Sequence, residues 1–168
     1  SRIPYRIIDR AAQDDVYREL FSGRVGFEAE GLTVAAFEKL QAALRKVTLV
    51  STERRLSKLR LVKQSAELAH IRTAAELADQ AFEHILDYLK PGVSERDVAL
   101  ELEFYMRRSG AEDSSFNIIV ASGPRSAMPH GTASAKEIEY GELVTLDFGA
   151  KVQGYHSDMT RTLAIGLV

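Results

Sequence analysis

Cysteine is absent from the 168 residues. That excludes a disulfide framework and thiolate metal ligands, and it fits a reducing compartment, the cytoplasm. Any metal would have to be held by Asp, Glu and His. An excess of charge of one sign is also missing: 22 Lys and Arg stand against 24 Asp and Glu, for a net charge of -2. This excludes the basic field of a nucleic-acid binder and the acidic field that would draw a cationic partner. No apolar run approaches the roughly 20 residues that a membrane span needs. The stretch from Ser1 to Arg10 has neither the continuous apolar core nor the small-residue cleavage site of a signal peptide. There is no internal repeat and no low-complexity tract. What is present is 45% apolar and 27% charged, a globular balance over a length that suits one domain or pieces of two.

The first part of the chain reads as alternating short elements. Ile3 to Ile8 and Val25 to Glu28 suit strands, and Asp14 to Phe21 suits a helix. Thr33 to Lys46 suits a second helix: Thr33 is an N-cap residue, and Phe37, Leu40 and Leu44 recur at helical spacing. Val47 to Val50 is a short β-like run. Strand, helix, strand in that order predicts an α/β layer over residues 1–52. The following residues, 53–62, are rich in basic side chains and read as a linker with a solvated face.

From residue 63 the pattern is α+β. Leu68, Ile71, Ala75, Ala78, Phe82, Ile85 and Leu89 step by three and four residues and predict one apolar helical stripe. Pro91-Gly92 ends that helix. Ser94, with Asp97 three residues on, then caps a second one, whose Val98, Leu102, Tyr105 and Met106 face inward and whose end falls at Gly110. An αα pair joined by a tight turn results. Phe116 to Ala121 reads as a strand broken by Ser122-Gly123-Pro124, and a loop follows through Pro129-His130-Gly131. Two more strands, Leu143 to Lys151 and Gly154 to Ile165, enclose a turn.

That last hairpin holds the chemistry. Val144, Leu146, Phe148 and Ala150 alternate onto one face, leaving Leu143, Thr145, Asp147 and Gly149 on the other. His156, Asp158, Thr160 and Thr162 share a face of the partner strand. A two-residue turn at Val152-Gln153 sets Asp147 directly opposite Asp158. A turn at Gln153-Gly154 sets Asp158 opposite Gly149, diagonal to Asp147. Either register puts both carboxylates on one face. Two carboxylates so close repel unless they share a proton, meet a cation or bind a divalent metal. Alternation points the adjacent Arg161 to the opposite face. On the residues alone, a metal site and a plain polar face both stay open. His130 reads as a loop histidine, His70 and His84 lie too far apart on one helix to share an ion, and His156 shares the face of Asp158.

Several stretches resemble one family in its own order: Leu59-Arg60-Leu61-Val62-Lys63, Phe116-Asn117-Ile118-Ile119-Val120-Ala121-Ser122-Gly123, Pro129-His130-Gly131, Leu143-Val144-Thr145-Leu146-Asp147-Phe148-Gly149 and Gly154-Tyr155-His156-Ser157-Asp158-Met159-Thr160-Arg161-Thr162. Together, with the eleven-residue step from Asp147 to Asp158, they resemble the pita-bread metallopeptidases: Xaa-Pro dipeptidase (prolidase), aminopeptidase P, methionine aminopeptidase and the metal-free relative creatinase. The resemblance implies that Asp147 binds one divalent ion and Asp158 bridges two. The ions would be manganese or cobalt, with zinc as the alternative, and His130 would contact the substrate near the scissile bond. It implies a proline-containing peptide substrate and hydrolysis by a metal-activated water. It also implies that residues 1–52 end an N-terminal domain of the creatinase type and that residues 63–168 form the first half of the catalytic domain. The family's further His and two Glu ligands are not in this sequence. The chain is therefore expected to be a fragment, inactive by itself, that self-associates as a homodimer. A non-catalytic peptidase-like binding module and a creatinase-like amidinohydrolase are the competing readings, and retention of both aspartates disfavours them.

Overall fold

The computed structural model describes residues 13–166, so the strand expected over Ile3 to Ile8 lies outside the described residues. The chain divides between Val62 and Lys63 into two compact units.

In the first unit, α1 (Gln13–Leu20) is followed by β1 (Gly23–Phe27), α2 (Val34–Ala43), β2 (Val47–Ser51) and the short α3 (Arg55–Leu59). β1 and β2 are parallel, with Gly23 opposite Val47 and Phe27 opposite Ser51. A parallel pair needs a crossover, and α2 supplies it. Thr33 caps α2, its Oγ1 accepting from Ala36 N at 3.2 Å. Phe27 and Phe37 pack with ring centroids 5.0 Å apart, joining strand to helix.

The second unit is an α+β layer pair. Helices α4 (Ser65–Tyr88) and α5 (Glu95–Arg108) lie on a sheet of short strands: β3 (Asp113–Ser114), β4 (Ile119–Ser122), β5 (Leu143–Phe148), β6 (Ala150–Val152), β7 (Tyr155–His156) and β8 (Met159–Ala164). A 3-10 helix, Gly123–Ala127, follows β4. The strands form two antiparallel groups, ordered β3-β6-β7 and β4-β5-β8.

Both expected long strands are thus interrupted, at Gly149 on one and at Ser157–Asp158 on the other. The register nevertheless runs through the break. Lys151 faces His156 on one side of it and Phe148 faces Met159 on the other. Gln153 (φ 48°) and Gly154 (φ 76°) make the turn in the left-handed region, as a hairpin turn matched to strand twist requires. The break coincides with a contact to the helix layer. Ser157 Oγ accepts from Ala150 N at 2.9 Å and donates to Ala74 O of α4 at 2.8 Å, so a side chain bonds the helix where a ladder bond would continue.

The core lies between the helices and the sheet. Ile85, Val98, Leu102 and Met106 meet Val120, Val144, Leu146 and Phe148, all wholly buried. Each such side chain contributes roughly 1.5–3 kcal/mol relative to exposure. The stripe of α4 departs from expectation. Ala74, Leu77, Ala78, Ala81 and Ile85 are its buried residues, whereas Leu68 is half-exposed and Ala75 exposed. Small side chains at 74, 78 and 81 let the sheet and α5 approach closely. The buried face is thus turned by about one position from the expected stripe, and the two share Ala78 and Ile85.

Candidate metal centre

Alternation decides which way the two aspartates point. On β5, Val144, Leu146 and Phe148 are buried against the helices, so Asp147 between them turns to the open face and is half-buried there. On the other strand, Ser157 is buried toward α4 and Met159 packs on the core. Asp158 between them is exposed and turns the opposite way, toward the same open face as Asp147. Asp147 stands opposite Thr160. With the register unbroken, Asp158 stands opposite Gly149, diagonal to Asp147. This is the arrangement set by a turn at Gln153-Gly154.

Threonine hydroxyls share the face with the pair. Thr160 Oγ1 donates to Asp147 Oδ1 at 3.0 Å, and Thr145 and Thr162 hydroxyls lie 3.2 Å apart on the same face. Arg161 is not available to either carboxylate: its guanidinium lies over the Phe82 ring of α4, 5.8 Å from the centroid, on the helix side of the sheet. Among the described residues no Lys or Arg pairs with Asp147 or Asp158. Two hard oxygen donors on one face, with no cation to neutralise them, suit a hard or borderline divalent ion. They are part of a ligand set and no more, for among the described residues no three His, Asp or Glu side chains gather to hold an ion.

Gly149 makes the crossing possible. A Cβ at this position would lie 1.9 Å from Ser157 O and 2.7 Å from Ser157 C, both backbone atoms. Gly149→Ala is therefore expected to push Ser157 and Asp158 away from β5. The cost should be about 1–3 kcal/mol of stability, and divalent-metal affinity should weaken. Thermal denaturation and a manganese titration of the full-length protein check this, and wild-type values in both would refute the role given to Gly149.

His130 is exposed, at the tip of the segment that leaves β4 and returns at Thr132. Thr132 bridges to Ile119, and Ile119 stands opposite Asp147. Thr132, Ile119, Asp147 and Thr160 therefore form one row across the sheet, on the open face. Two strand spacings separate Thr132 from Asp147, roughly 10 Å, and His130 lies two residues before Thr132. The structure thus brings Asp147 and Asp158 onto one face and puts His130 on a loop at its rim. The other histidines are engaged elsewhere or solvated. His70 stacks on Tyr155, His84 contacts Glu101 at 2.6 Å and stacks on Tyr105, and His156 is exposed on β7.

Sequence reasoning missed Glu95. It is the first residue of α5 and wholly buried. Its carboxylate accepts from Ser122 N and Oγ, Ser134 N and Oγ, and Arg125 Nε. Burial pushes its carboxyl up, but the hydrogen bonds from Ser134 and Ser122 outweigh that and hold it below its ordinary range. An acidic residue just after an N-cap serine has an ordinary reading as a partner of the helix dipole, so no local signal separates it from a surface residue. A second ion pair lies close by: Lys136 Nζ meets Glu142 Oε2 at 2.7 Å, and that contact with the Glu139 N–H lowers the Glu142 carboxyl.

Comparison with known proteins gives a consistent result. Residues 69–168 match the metallopeptidase family M24, and residues 3–62 match the creatinase/prolidase N-terminal domain. The Bacillus subtilis protein called uncharacterized peptidase YqhT is 53% identical over 143 residues, 85% of this chain and 40% of that protein. The Xaa-Pro dipeptidase of Pyrococcus horikoshii is 45% identical over 108 residues, 64% of this chain and 31% of that protein. Among solved structures, the Xaa-Pro dipeptidase from Bacillus anthracis superposes with a TM-score of 0.86 at 50% identity. That match covers 92% of this chain and 44% of that one. The chain spans less than half the length of each of these proteins.

Proposed function

The chain belongs to metallopeptidase family M24 and has its α+β, pita-bread type of fold, and on that premise we propose that the full-length protein hydrolyses Xaa-Pro dipeptides, or removes an N-terminal residue that precedes proline. The observation that carries the proposal is the open sheet face on which Asp147 and Asp158 stand together without a neutralising cation.

Asp147 and Asp158 would hold two divalent ions, Asp158 as the bridge, with manganese or cobalt as the metals. When bound, such ions polarise the scissile carbonyl and supply a nucleophilic water at neutral pH. The chain's own residues do the rest. Thr160 orients Asp147 through its Oδ1, and the fixed register keeps Asp158 diagonal to it. His130, from its loop at the rim, donates a hydrogen bond to the substrate near the scissile bond. The remaining ligands would be the family's further His and two Glu. No His or Glu follows Asp158 in this sequence, so the 168-residue chain by itself is proposed to bind metal weakly and to lack activity.

Residues 63–168 are assigned to the first half of the catalytic domain. Residues 1–52 are assigned to the end of an N-terminal domain, joined through residues 53–62. The separation of two units between Val62 and Lys63 supports this reading. The cytoplasm is the proposed location, on the lack of cysteine. No described helix is long and apolar enough to cross a membrane.

The test is direct. The full-length protein should cleave an Xaa-Pro dipeptide with manganese or cobalt, lose that activity to a chelator and regain it when either ion is restored. Undiminished turnover after chelation would refute the metal mechanism. A second expectation concerns association of the 168-residue chain. Among the described residues β8 pairs with β5 alone, leaving one strand edge open, and open edges recruit further strands. The chain should therefore sediment as a twofold dimer at micromolar concentration. A stable monomer at equilibrium would refute this.

A further inference from the structure

The segment from Ser122 to Ser134 leaves the sheet at the end of β4 and comes back beside it, carrying the exposed Pro129 and His130 at its tip, just before the buried Gly131. An exposed loop tip holds one position only when the loop's ends and shape are tied. One side chain ties them. Glu95 Oε1 accepts from Ser122 N at 2.8 Å and Ser122 Oγ at 3.0 Å, at the start of the segment. Glu95 Oε2 accepts from Ser134 N at 3.0 Å and Ser134 Oγ at 2.6 Å, at its end. Arg125 Nε reaches both oxygens, at 3.2 and 3.1 Å. Arg125 Nη2 then spans the loop to Thr132 O at 2.7 Å. Thr132 sits on Ile119, which stands opposite Asp147.

Helix capping does not account for this. Ser94 already caps α5, its Oγ accepting from Asp97 N at 3.1 Å. Every partner of the Glu95 carboxylate comes from the 122–134 segment and none from the helix. Nor does packing account for it. A wholly buried charge is costly unless every lone pair is used, and an apolar side chain of equal size would fill the space without that cost. What the carboxylate adds is a fixed spacing between Ser122, Arg125 and Ser134.

We propose that Glu95 is a positioning residue: by clamping both ends of the 122–134 segment it sets where His130 stands relative to Asp147, an inference that rests on the substrate-contacting role given to His130. Glu95 touches neither substrate nor metal. Its effect on the reaction passes entirely through the loop.

The experiment compares wild type, Glu95→Gln, His130→Ala and the double variant in the full-length protein with manganese. Amide hydrogen exchange over residues 123–134 and kcat for an Xaa-Pro dipeptide are the readouts. Glu95→Gln is expected to speed exchange in that segment by about tenfold or more and to lower kcat by roughly 10- to 100-fold. In the His130→Ala background the same change should cost nothing further, because the two act in series. Unchanged exchange overturns the clamp. A kcat loss as large in the His130→Ala background as in wild type overturns the positioning of His130 while leaving the role of His130 intact. Wild-type kcat in His130→Ala removes the role of His130, and the positioning proposal falls with it. If Glu95→Gln does not fold, Ser134→Ala removes one hydroxyl donor and keeps the buried charge paired. It should shift exchange and kcat in the same directions by about two- to fivefold, and no shift in either overturns the proposal.

Discussion

Asp158→Ala is expected to lower kcat/KM of the full-length protein for an Xaa-Pro dipeptide by roughly 10³-fold or more, the equivalent of about 4 kcal/mol of lost transition-state stabilisation. Asp158 is exposed, makes no hydrogen bond or ion pair among the described residues, and lies outside the ladder in the gap before β8. Its removal should therefore leave stability nearly unchanged, within about 0.5 kcal/mol. The prediction is a large catalytic loss without a folding loss. Steady-state kinetics with saturating manganese, together with thermal denaturation, checks both halves. Turnover retained in Asp158→Ala would remove the bridging role and with it the proposed mechanism. The residue at the same level on the other strand, Gly149, has no side chain to take over as a ligand.

Phe148→Ala is expected to be the most destabilising of the single changes considered, at about 3–5 kcal/mol. Phe148 is wholly buried, faces Met159 across the ladder and packs in the cluster that joins both helices to the sheet. It also sits between Asp147 and Gly149, so the cavity would loosen the segment on which the metal pair depends. Leu143, on the same strand but half-exposed on the open face, is the control. Leu143→Ala should cost less than about 1 kcal/mol. Urea unfolding followed by circular dichroism measures both, and a cost for Phe148→Ala similar to that of Leu143→Ala would refute the assignment of the core face.

The two changes act on opposite sides of one strand, and that division was legible in the sequence. Strict alternation over residues 143–150 separates the faces, and a residue pattern with period two has no other reading in a strand of this length. The helix ends were legible for a similar reason. Thr33 and Ser94 announce caps whose hydrogen bonds are local, to Ala36 and Asp97. The family was legible in the motifs from residue 59 onward, and the match over residues 69–168 bears it out. The buried stripe of α4 was legible only roughly. Helical spacing marks Leu68 and Ala75, whereas the residues that face the sheet and α5 include Ala74, Leu77 and Ala81.

By itself the sequence determined the types of the longer elements, the face on which Asp147 and Asp158 lie, and the family, because each of these rests on local periodicity, local capping or short motifs along the chain; the short helices Arg55–Leu59 and Gly123–Ala127, in stretches read as linker and loop, were missed. The tertiary structure alone decided which of two turn registers holds, where the long strands break, and that Glu95 is buried. Those depend on contacts between residues far apart in the chain. The ladder breaks where Ser157 bonds Ala74, 83 positions away, and Glu95 is buried because Ser122 and Ser134, 27 and 39 positions on, close over it. A carboxylate at a helix start has the same local signature whether water or a loop covers it, and only the folded chain supplies the cover.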